Sequence, residues 1–304
     1  MVEFKTIIVT FRRLVVMGKL KIQNLVPSAP APGIDPPAAS LIVRGMRYAW
    51  RKFFGMRLHP QLCDKALDLF RQVKPMRAMG VHKVRIGASS DGGYVMLDDF
   101  GTVSSAYSIG IGRDVSWDLD LAARGLTIFQ FDHTVLHSPV SHRLFRFEQL
   151  GLGVKTEPNA RLETLENMLC RQTDKTKQLI LKIDVEGAEW KIFDGLSDLV
   201  FPRFRQIICE FHNFHEISHE AWYDRAYRVF SRLNKTHQAI HIHHNNWGPR
   251  IRIGDVEIPF FAEITFASRS DYSFEVTDEA LPGPLDLPCA PFFPDPPLAF
   301  LRKL

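Results

Sequence analysis

The stretch Leu181-Lys-Ile-Asp-Val-Glu-Gly-Ala-Glu-Trp190 joins an apolar run to a segment with helical spacing. Residues 178–183 predict a buried strand that ends at Asp184, and residues 190–196 carry apolar side chains at the spacing of a helix. Open α/β sheets bind their ligands beyond the carboxyl ends of their strands. This strand end carries three carboxylates: Asp184, Glu186 and Glu189. Because crowded carboxylates repel one another, they predict a functional site; the alternative is that the two glutamates favour the positive end of the following helix.

Strand-like and helix-like segments alternate from residue 106 to residue 266. The predicted strands are 106–111, 126–131, 144–147, 178–183, 206–211, 237–243 and 258–266. The predicted helices are 117–124, 162–170, 190–199 and 220–233. This alternation is typical of the α/β class, with a mostly parallel sheet that helices cover on both faces.

Composition excludes several classes of protein. The chain has 304 residues, of which 45% are hydrophobic and 24% charged, so an ordinary globular core is possible. Its net charge of +4 is mild and no basic stripe is interleaved with aromatic residues, so we do not expect nucleic acid as a partner. The four cysteines (Cys63, Cys170, Cys209 and Cys289) form no CxxC pair. Their spacing argues against a disulfide framework or a structural zinc, and favours a reducing compartment such as the cytoplasm.

The terminal segments differ in composition from the middle of the chain. Residues 1–22 mix apolar and basic side chains; they predict an extension or accessory strand, or a segment that lies on a surface or binds a partner. Residues 26–39 are a Pro/Ala-rich linker, and residues 41–54 are basic and aromatic. The second segment predicts an amphipathic helix packed on the domain, or a face for peripheral membrane contact. Residues 60–73 predict a further amphipathic helix, and the proline-rich tail after residue 280 predicts no chemistry.

The segment Val84-Arg-Ile-Gly-Ala-Ser-Ser-Asp-Gly-Gly-Tyr-Val-Met96 predicts a hairpin. Asp91, Gly92 and Gly93 form a turn signal between two short apolar stretches. The hairpin alone accounts for these glycines without any ligand.

The segment Tyr107-Ser-Ile-Gly-Ile-Gly-Arg-Asp-Val-Ser-Trp-Asp118 carries a GxG turn between a strand and a helix. Gly110 and Gly112 would let a ligand approach the backbone, although Val115 replaces the third glycine of the dinucleotide-binding pattern. Asp132 lies 20 residues beyond Gly112, where a carboxylate can accept the ribose hydroxyls of an adenosine. Two acidic residues follow the turn, Asp114 and Asp118, and would repel a pyrophosphate. The balance favours S-adenosylmethionine over a nicotinamide dinucleotide.

Three segments carry a family resemblance. SIGIGRDVSWDLDLA, IFQFDHT and LILKIDVEGAEWKIFDGL resemble the FkbM-type methyltransferases. Residues 85–96 resemble a block found in related methyltransferase-like proteins. The resemblance covers roughly residues 80–268, and KIDVEGAEW is its most specific part. It implies a Rossmann-like, seven-stranded S-adenosylmethionine-dependent methyltransferase sheet, whose last strand is inserted antiparallel to the others.

The resemblance also implies a division of the chain. Residues 1–40 would be an N-terminal extension and linker, 41–79 accessory helices, 80–268 the methyltransferase domain and 269–304 the tail. The implied cofactor-binding residues are Asp91, Gly110, Gly112, Asp132 and Asp184. Gly110 and Gly112 would face the methionine and ribose parts of the cofactor, with an adenine pocket near residues 151–153.

Two further strand ends are expected at the same edge of the sheet. One carries Glu210, His212 and Asn213, and the other carries His243, His244, Asn245 and Asn246. We expect Asp184, His212 and His243 to be catalytic, with His212 as the first choice of general base because imidazole titrates near neutral pH. Asp184, Glu210 and His212 could instead hold a divalent metal, since carboxylates and imidazole suit Mg²⁺, Mn²⁺ or Zn²⁺.

The predicted function is methyl transfer from S-adenosylmethionine to a hydroxyl of a sugar or small metabolite. The partner would be a small-molecule or glycan acceptor. Two alternatives stay open at this point: a methyltransferase-fold binding module without catalysis, which contacts a partner through its basic N-terminal region, and a nucleotide-dependent Rossmann enzyme.

Overall fold

Seven strands of the computed structural model form one mixed sheet, as the alternating segments predict. The structure describes residues 55–172 and 178–304, so the predicted extension, the linker and the 41–54 helix lie outside the described residues. Residues Gly55–Leu304 form one unit. The strands are β1 (Met56–Leu58), β2 (Met76–Ala78), β3 (Lys83–Gly87), β4 (Gly93–Leu97), β5 (Val103–Ile109), β6 (Thr127–Phe131), β7 (Phe145–Glu148), β8 (Gly151–Leu152), β9 (Leu162–Glu163), β10 (Gln178–Ile183), β11 (Phe204–Phe211), β12 (His237–His244), β13 (Ile251–Ile253), β14 (Val256–Ile258), β15 (Ala262–Ser268) and β16 (Phe274–Val276). The α-helices are α1 (Cys63–Arg71), α2 (Ser116–Ala123), α3 (Leu165–Gln172), α4 (Glu189–Gly195) and α5 (Glu220–Leu233).

The order of strands in the large sheet is β7-β6-β5-β10-β11-β15-β12. All neighbours are parallel except the two pairs that contain β15, which lies antiparallel between β11 and β12. From β5 the chain continues to β6 and β7 on one side, then returns to β10 and β11 on the other. The carboxyl ends of β5 and β10 therefore border the point where strand order reverses, which is where open sheets bind ligands.

The two faces of the sheet are covered differently. Helices α1, α3, α4 and α5 pack on one face, around alternate strand residues such as Tyr107, Leu181 and Phe211. The intervening residues, such as Ala106 and Ile180, face helix α2 and the β3–β4 hairpin. The expected α/β sheet with helices is confirmed, and a hairpin replaces helices over part of the second face.

Some predicted elements are wrong in extent; the helix predicted over 190–199, for example, ends at Gly195 because Leu196 is extended. The predicted strand 258–266 is split, because Ile258 pairs with β13 in a small sheet and Pro259, which has no backbone N–H to donate, precedes β15. The predicted helix 162–170 begins only at Leu165, because residues 162 and 163 pair with β8 as strand β9. The Thr164 hydroxyl accepts the Asn167 N–H at 3.3 Å and caps the shortened helix. The predicted hairpin at residues 84–96 is confirmed by the antiparallel β3–β4 pair.

The proline-rich tail packs against the large sheet. Leu298, Phe300 and Leu301 are buried in the main core. Asp286 binds His241 of β12 at 2.7 Å between Oδ1 and Nε2. Among residues 55–172 and 178–304, none of the helices has the length and apolar character needed to cross a bilayer.

Glu163 connects β9 to α3 through several hydrogen bonds. Its carboxylate accepts from the Thr156 hydroxyl, the Thr164 backbone N–H at 2.9 Å, the Asn167 amide at 2.8 Å and Arg171 at 3.0 Å. Burial alone would raise the pKa of this carboxyl, but the hydrogen bonds outweigh it and lower the pKa to about 2.

We expect Glu163→Gln to reduce the free energy of unfolding by about 1–2 kcal/mol at pH 7. A carboxyl whose pKa is lowered by folding stabilises the protein above its unfolded pKa of about 4.5 and loses that contribution as the pH falls toward 2. Urea unfolding at pH 7 and pH 3 should therefore show a larger gap between wild type and variant at pH 7. The control is Glu157→Gln, a change at a half-exposed residue in a surface ion pair with Lys155, which should change stability little at either pH. A gap that does not depend on pH would contradict the assignment.

Candidate active site

The ends of β5 and β10 are joined by a close backbone approach at Gly110. Its φ is +77°, and a Cβ there would lie 1.7 Å from the backbone oxygen of Asp184. Gly110 donates its N–H to Phe131 at 2.9 Å, and Asp184 donates its N–H to Ile109 at 3.0 Å. The Lys182 ammonium donates to the Gly110 carbonyl at 3.3 Å. Only glycine fits this position. The packing of the two strand ends therefore explains the first glycine of the GxG pattern.

Gly112 and Asp132 are brought together as the sequence predicts. The Gly112 N–H donates to Asp132 Oδ2 at 2.8 Å, while Oδ1 accepts from the backbone N–H of Thr134 at 2.7 Å and from its hydroxyl at 2.6 Å. Burial raises the pKa of Asp132, but these hydrogen bonds outweigh it and lower the pKa. Apart from its chain neighbours, no atom of residues 55–172 and 178–304 lies within 4 Å of the position that a Gly112 Cβ would take, so the turn has open space beside a fixed, ionised carboxylate.

The two acids after the turn lie in different environments. Asp114 is exposed and accepts the Ser116 N–H at 2.8 Å. Asp118 is buried under the sheet, where it accepts from the Ser108 hydroxyl at 3.2 Å and the Gln130 amide at 2.8 Å. The expectation that both acids would repel a bound pyrophosphate is therefore wrong for Asp118, because its side chain points into the core.

His212 is buried at the end of β11, with one defined tautomer. Its Nδ1 lies 3.0 Å from Glu189 Oε1 and 3.1 Å from the Glu210 carbonyl oxygen. Both partners are acceptors, so Nδ1 carries the proton and donates it. Glu189 is fully buried, and its Oε1 also accepts the N–H groups of Val185 and Gly187, each at 3.1 Å. Glu189 thus fixes the orientation of the His212 ring. The position of Glu189 at the start of a helix did not predict this role.

The other nitrogen of His212 faces three carboxylates. Nε2 lies 3.9 Å from Asp184 Oδ1, 3.7 Å from Glu186 Oε2 and 3.7 Å from Glu210 Oε1. The three predicted metal candidates Asp184, Glu210 and His212 are therefore adjacent, and Glu186 joins them. Desolvation lowers the pKa of His212, but the carboxylates around it, Glu189 first, outweigh burial and raise the pKa above its usual value.

The backbone at this edge adopts conformations that side chains rarely take. Glu186 and Asn213 have φ values of +56° and +66°. Gly187 has a φ of +104°, and a Cβ there would lie 2.5 Å from Asn213 Nδ2. Left-handed residues other than glycine cost about 1–2 kcal/mol each and cluster at functional sites.

Carboxylates continue from this cluster toward β15. We call Asp91, Asp184, Glu186, Glu210 and Glu263 the acidic band, since oxygens of Asp91, Glu210 and Glu263 lie within 4.8 Å of one another. Burial raises the pKa of Asp184 to about 6, against the opposing effects of Lys182 and His212. Burial, reinforced by Asp184 and Glu263, raises the pKa of Glu210 well above its usual value. Glu210 also accepts from the Asn245 amide at 2.9 Å.

Asp91 reaches the acidic band from the β3–β4 turn. Arg85 holds this turn by donating to the carbonyls of Ala88 at 2.8 Å and Ser90 at 2.7 Å. Gly92 lies so close to Asp114 that a Cβ would be 3.0 Å from its Cγ. The hairpin thus abuts the GxG turn, where the sequence predicts that Asp91 would border the cofactor.

His243 lies behind Glu263, with both of its nitrogens in use. Nδ1 is 2.8 Å from Glu263 Oε2 and Nε2 is 3.0 Å from Asp295 Oδ2. Desolvation lowers the pKa of His243, but the two carboxylates outweigh it and raise the pKa to about 10. An imidazolium between two carboxylates has no lone pair to accept a proton, so this geometry lets His243 hold Glu263 in place. Its predicted catalytic role stays a prediction.

The tail supplies residues that the sequence patterns did not single out. Besides Asp295, the Cys289 thiol donates to Glu263 Oε1 at 3.1 Å, and the Asn246 amide donates to the carbonyl of Ala290 at 3.2 Å. These contacts join residues more than 25 positions apart. No local pattern in a proline-rich segment signals such pairings.

Residues 112–236 match the family model described as the methyltransferase FkbM domain, which confirms the resemblance over these residues. Among solved structures, one similar chain is described as a methyltransferase from an antibiotic biosynthesis pathway of Anabaena variabilis ATCC 29413. It is 13% identical, with a TM-score of 0.27, and the similarity covers 47% of the present chain and 60% of the other. The chain thus spans about 60% of the length of that structure. A search among curated proteins gives no match.

We expect Gly110→Ala to lower the free energy of unfolding by about 2–4 kcal/mol, because the new methyl group would force the ends of β5 and β10 apart. The matched control is Gly125→Ala. Gly125 also has a positive φ, of +90°, but within the described residues nothing beyond its chain neighbours lies within 4 Å of a Cβ there. That variant should lose only about 1 kcal/mol. Urea unfolding measures both, and equal losses would show that backbone conformation alone, rather than the approach to Asp184, demands glycine.

Proposed function

We propose that this chain, which carries a methyltransferase FkbM domain at residues 112–236, transfers a methyl group from S-adenosylmethionine to a hydroxyl of a sugar or small metabolite. The sheet order, with its inserted antiparallel strand, is compatible with a Rossmann-like class I methyltransferase. The observation that carries the proposal is the hydrogen bond between Gly112 and Asp132 beside an open turn.

The pair of Gly112 and Asp132 suits an adenosine ribose. A carboxylate has about four lone-pair sites, and Asp132 uses three of them on Gly112 and Thr134. The remaining site, held rigidly at the end of β6, can accept a ribose hydroxyl. Because the space beside Gly112 is open, the ribose could approach the backbone closely there.

The turn favours a cofactor without phosphate. Val115 is buried in the position of the third glycine, which keeps a pyrophosphate from the start of α2. Asp114 is the exposed acid at this turn, and its charge would repel phosphate. S-adenosylmethionine carries a positive sulfonium and an ammonium group instead, and the acidic band offers charge of the opposite sign. In this proposal Gly110, Asp184 and Asp91 border the methionine part of the cofactor.

The chemistry is an in-line displacement at the methyl carbon. The acceptor oxygen forms a bond to the methyl carbon as the carbon–sulfur bond breaks, sulfur keeps the electron pair, and the hydroxyl proton passes to a base. His212 suits this role because Glu189 holds its Nδ1–H and leaves the Nε2 lone pair directed to the edge where Asp184 ends β10. Alignment of donor and acceptor at about 3 Å would supply much of the rate increase.

We expect the full chain to bind S-adenosylhomocysteine in isothermal titration calorimetry, and Asp132→Asn to weaken binding at least about tenfold by removing one charged acceptor of the ribose hydroxyls. Asp114→Asn is the matched control, since it keeps the acceptor for the Ser116 N–H and should bind as wild type does. NAD should not bind. A folded chain that fails to bind S-adenosylhomocysteine at millimolar concentration, or that binds NAD instead, would sink the proposal.

We expect His212→Asn to reduce methyl transfer by about 10²–10⁴-fold while S-adenosylhomocysteine still binds. The asparagine amide can replace Nδ1–H toward Glu189 but offers nothing in place of Nε2. Transfer of labelled methyl groups to a panel of glycosides and hydroxylated metabolites measures the effect, with His219→Asn, a surface histidine, as the control. An unchanged rate would remove His212 from the reaction. Cofactor binding without any methylated acceptor would favour the non-catalytic binding module.

A further inference from the structure

We infer that Asp184, Glu186 and His212 form a binding site for one divalent cation, with Glu210 beside it. The site lies at the acceptor end of the proposed methyl-transfer centre, and its meaning for catalysis rests on that proposed function. Whether these residues bind a cation does not depend on that function, because cation binding can be measured without cofactor or acceptor.

The distances between these ligand atoms are compatible with a coordination shell. Mg²⁺, Mn²⁺ and Zn²⁺ bind oxygen and nitrogen at about 2.0–2.2 Å, so two ligands of one ion lie about 3–4.3 Å apart. His212 Nε2 is 3.9 Å from Asp184 and 3.7 Å from Glu186, and the ligand atoms of the three residues lie within 4.8 Å of one another. A hydrogen bond from an imidazolium to a carboxylate would be about 2.7–2.9 Å long.

Two polar atoms beside this space make no hydrogen bond within the described part of the chain. His212 is 4% exposed, and its Nε2 makes no hydrogen bond to any residue of the 55–172 and 178–304 segments. Asp184 Oδ1 is likewise buried without a hydrogen-bond partner in the described part of the chain. Buried polar atoms are almost always satisfied, so the unsatisfied Asp184 Oδ1, which lies 3.9 Å from Nε2 of the buried His212 side chain, points to a ligand site between the two atoms.

Glu189 prepares the histidine for this role. Histidines that bind metals usually donate their other ring N–H to a carboxylate or carbonyl, which fixes the ring and increases the basicity of the ligating nitrogen. Glu189 and the Glu210 carbonyl together accept from Nδ1 of His212. The Nε2 lone pair is consequently the one directed toward Asp184 and Glu186.

The ligand set and its charge favour a divalent ion. Two carboxylates and one imidazole suit Mg²⁺, Mn²⁺ or Zn²⁺. Lys182, the neighbouring ammonium, donates to the Gly110 carbonyl and so does not bridge these acids. Glu186 is 88% exposed, which leaves one side of the site open to solvent and to an acceptor oxygen. A cation held here would supply Lewis-acid activation of that oxygen, with His212 as a ligand in place of the base.

The test is a titration of the full chain, first stripped with EDTA, with Mn²⁺, in which the electron paramagnetic resonance signal reports free ion. We expect about one bound Mn²⁺ per chain, and binding at least about tenfold weaker in Glu186→Gln and in Asp184→Asn. Because the Glu186 side chain is exposed, its substitution should leave the fold intact, which circular dichroism and thermal unfolding check. Glu275→Gln, which alters a surface pair with Arg77, is the control and should bind as wild type does.

Equal Mn²⁺ affinity in wild type, Glu186→Gln and Asp184→Asn would overturn the inference, and so would failure of the wild type to bind at millimolar Mn²⁺. S-adenosylhomocysteine binding, measured on the same EDTA-stripped samples, separates the two proposals. Cofactor binding without Mn²⁺ binding leaves methyl transfer standing with His212 as base. Mn²⁺ binding without cofactor binding leaves the cation site standing and removes the proposed function.

Discussion

The contact on which the rest of the site depends is the approach of Gly110 to the backbone oxygen of Asp184. It requires a residue without Cβ and holds the carboxyl ends of β5 and β10 side by side. From this fixed point the chain turns to Gly112, whose N–H reaches Asp132 on the next strand. On the other side, Asp184 begins the turn that carries Glu186 and Glu189. One steric constraint thus aligns the predicted cofactor residues with the carboxylates.

The same alignment crowds negative charge into a partly buried edge. Burial raises the pKa of Asp184 to about 6 and the pKa of Glu210 well above its usual value, which indicates that this charge is poorly solvated. The fold offsets part of it with amide donors such as Asn245 and with the His243 imidazolium. Around Glu263, the His243 imidazolium contacts the carboxylate directly. Around His212, Nε2 and its carboxylate neighbours are too far apart to form hydrogen bonds.

The sequence predicts the elements that depend on local pattern, and the residues that adjacent parallel strands bring together. Asp184 and His212 meet because β10 and β11 are neighbours and their apolar runs mark where each strand ends. Prediction fails where the structure depends on the direction of a side chain or on a partner that is distant in sequence. Asp118 turns into the core, and the 258–266 run divides at a proline. Neither outcome is visible in hydrophobic spacing alone.

The residues outside the family match determine the far side of the site. Gly112, Asp132, Asp184 and His212 fall within residues 112–236, whereas Glu263 and its partners from the tail lie beyond them. These four residues of the proposed site therefore lie in the stretch that matches the family model. The opposite wall is held by His243, Cys289 and Asp295, through contacts between β12, β15 and the tail. In the proposed reaction the acceptor would fit between the two halves, so its identity would depend on this chain's own C-terminal structure as much as on the family domain.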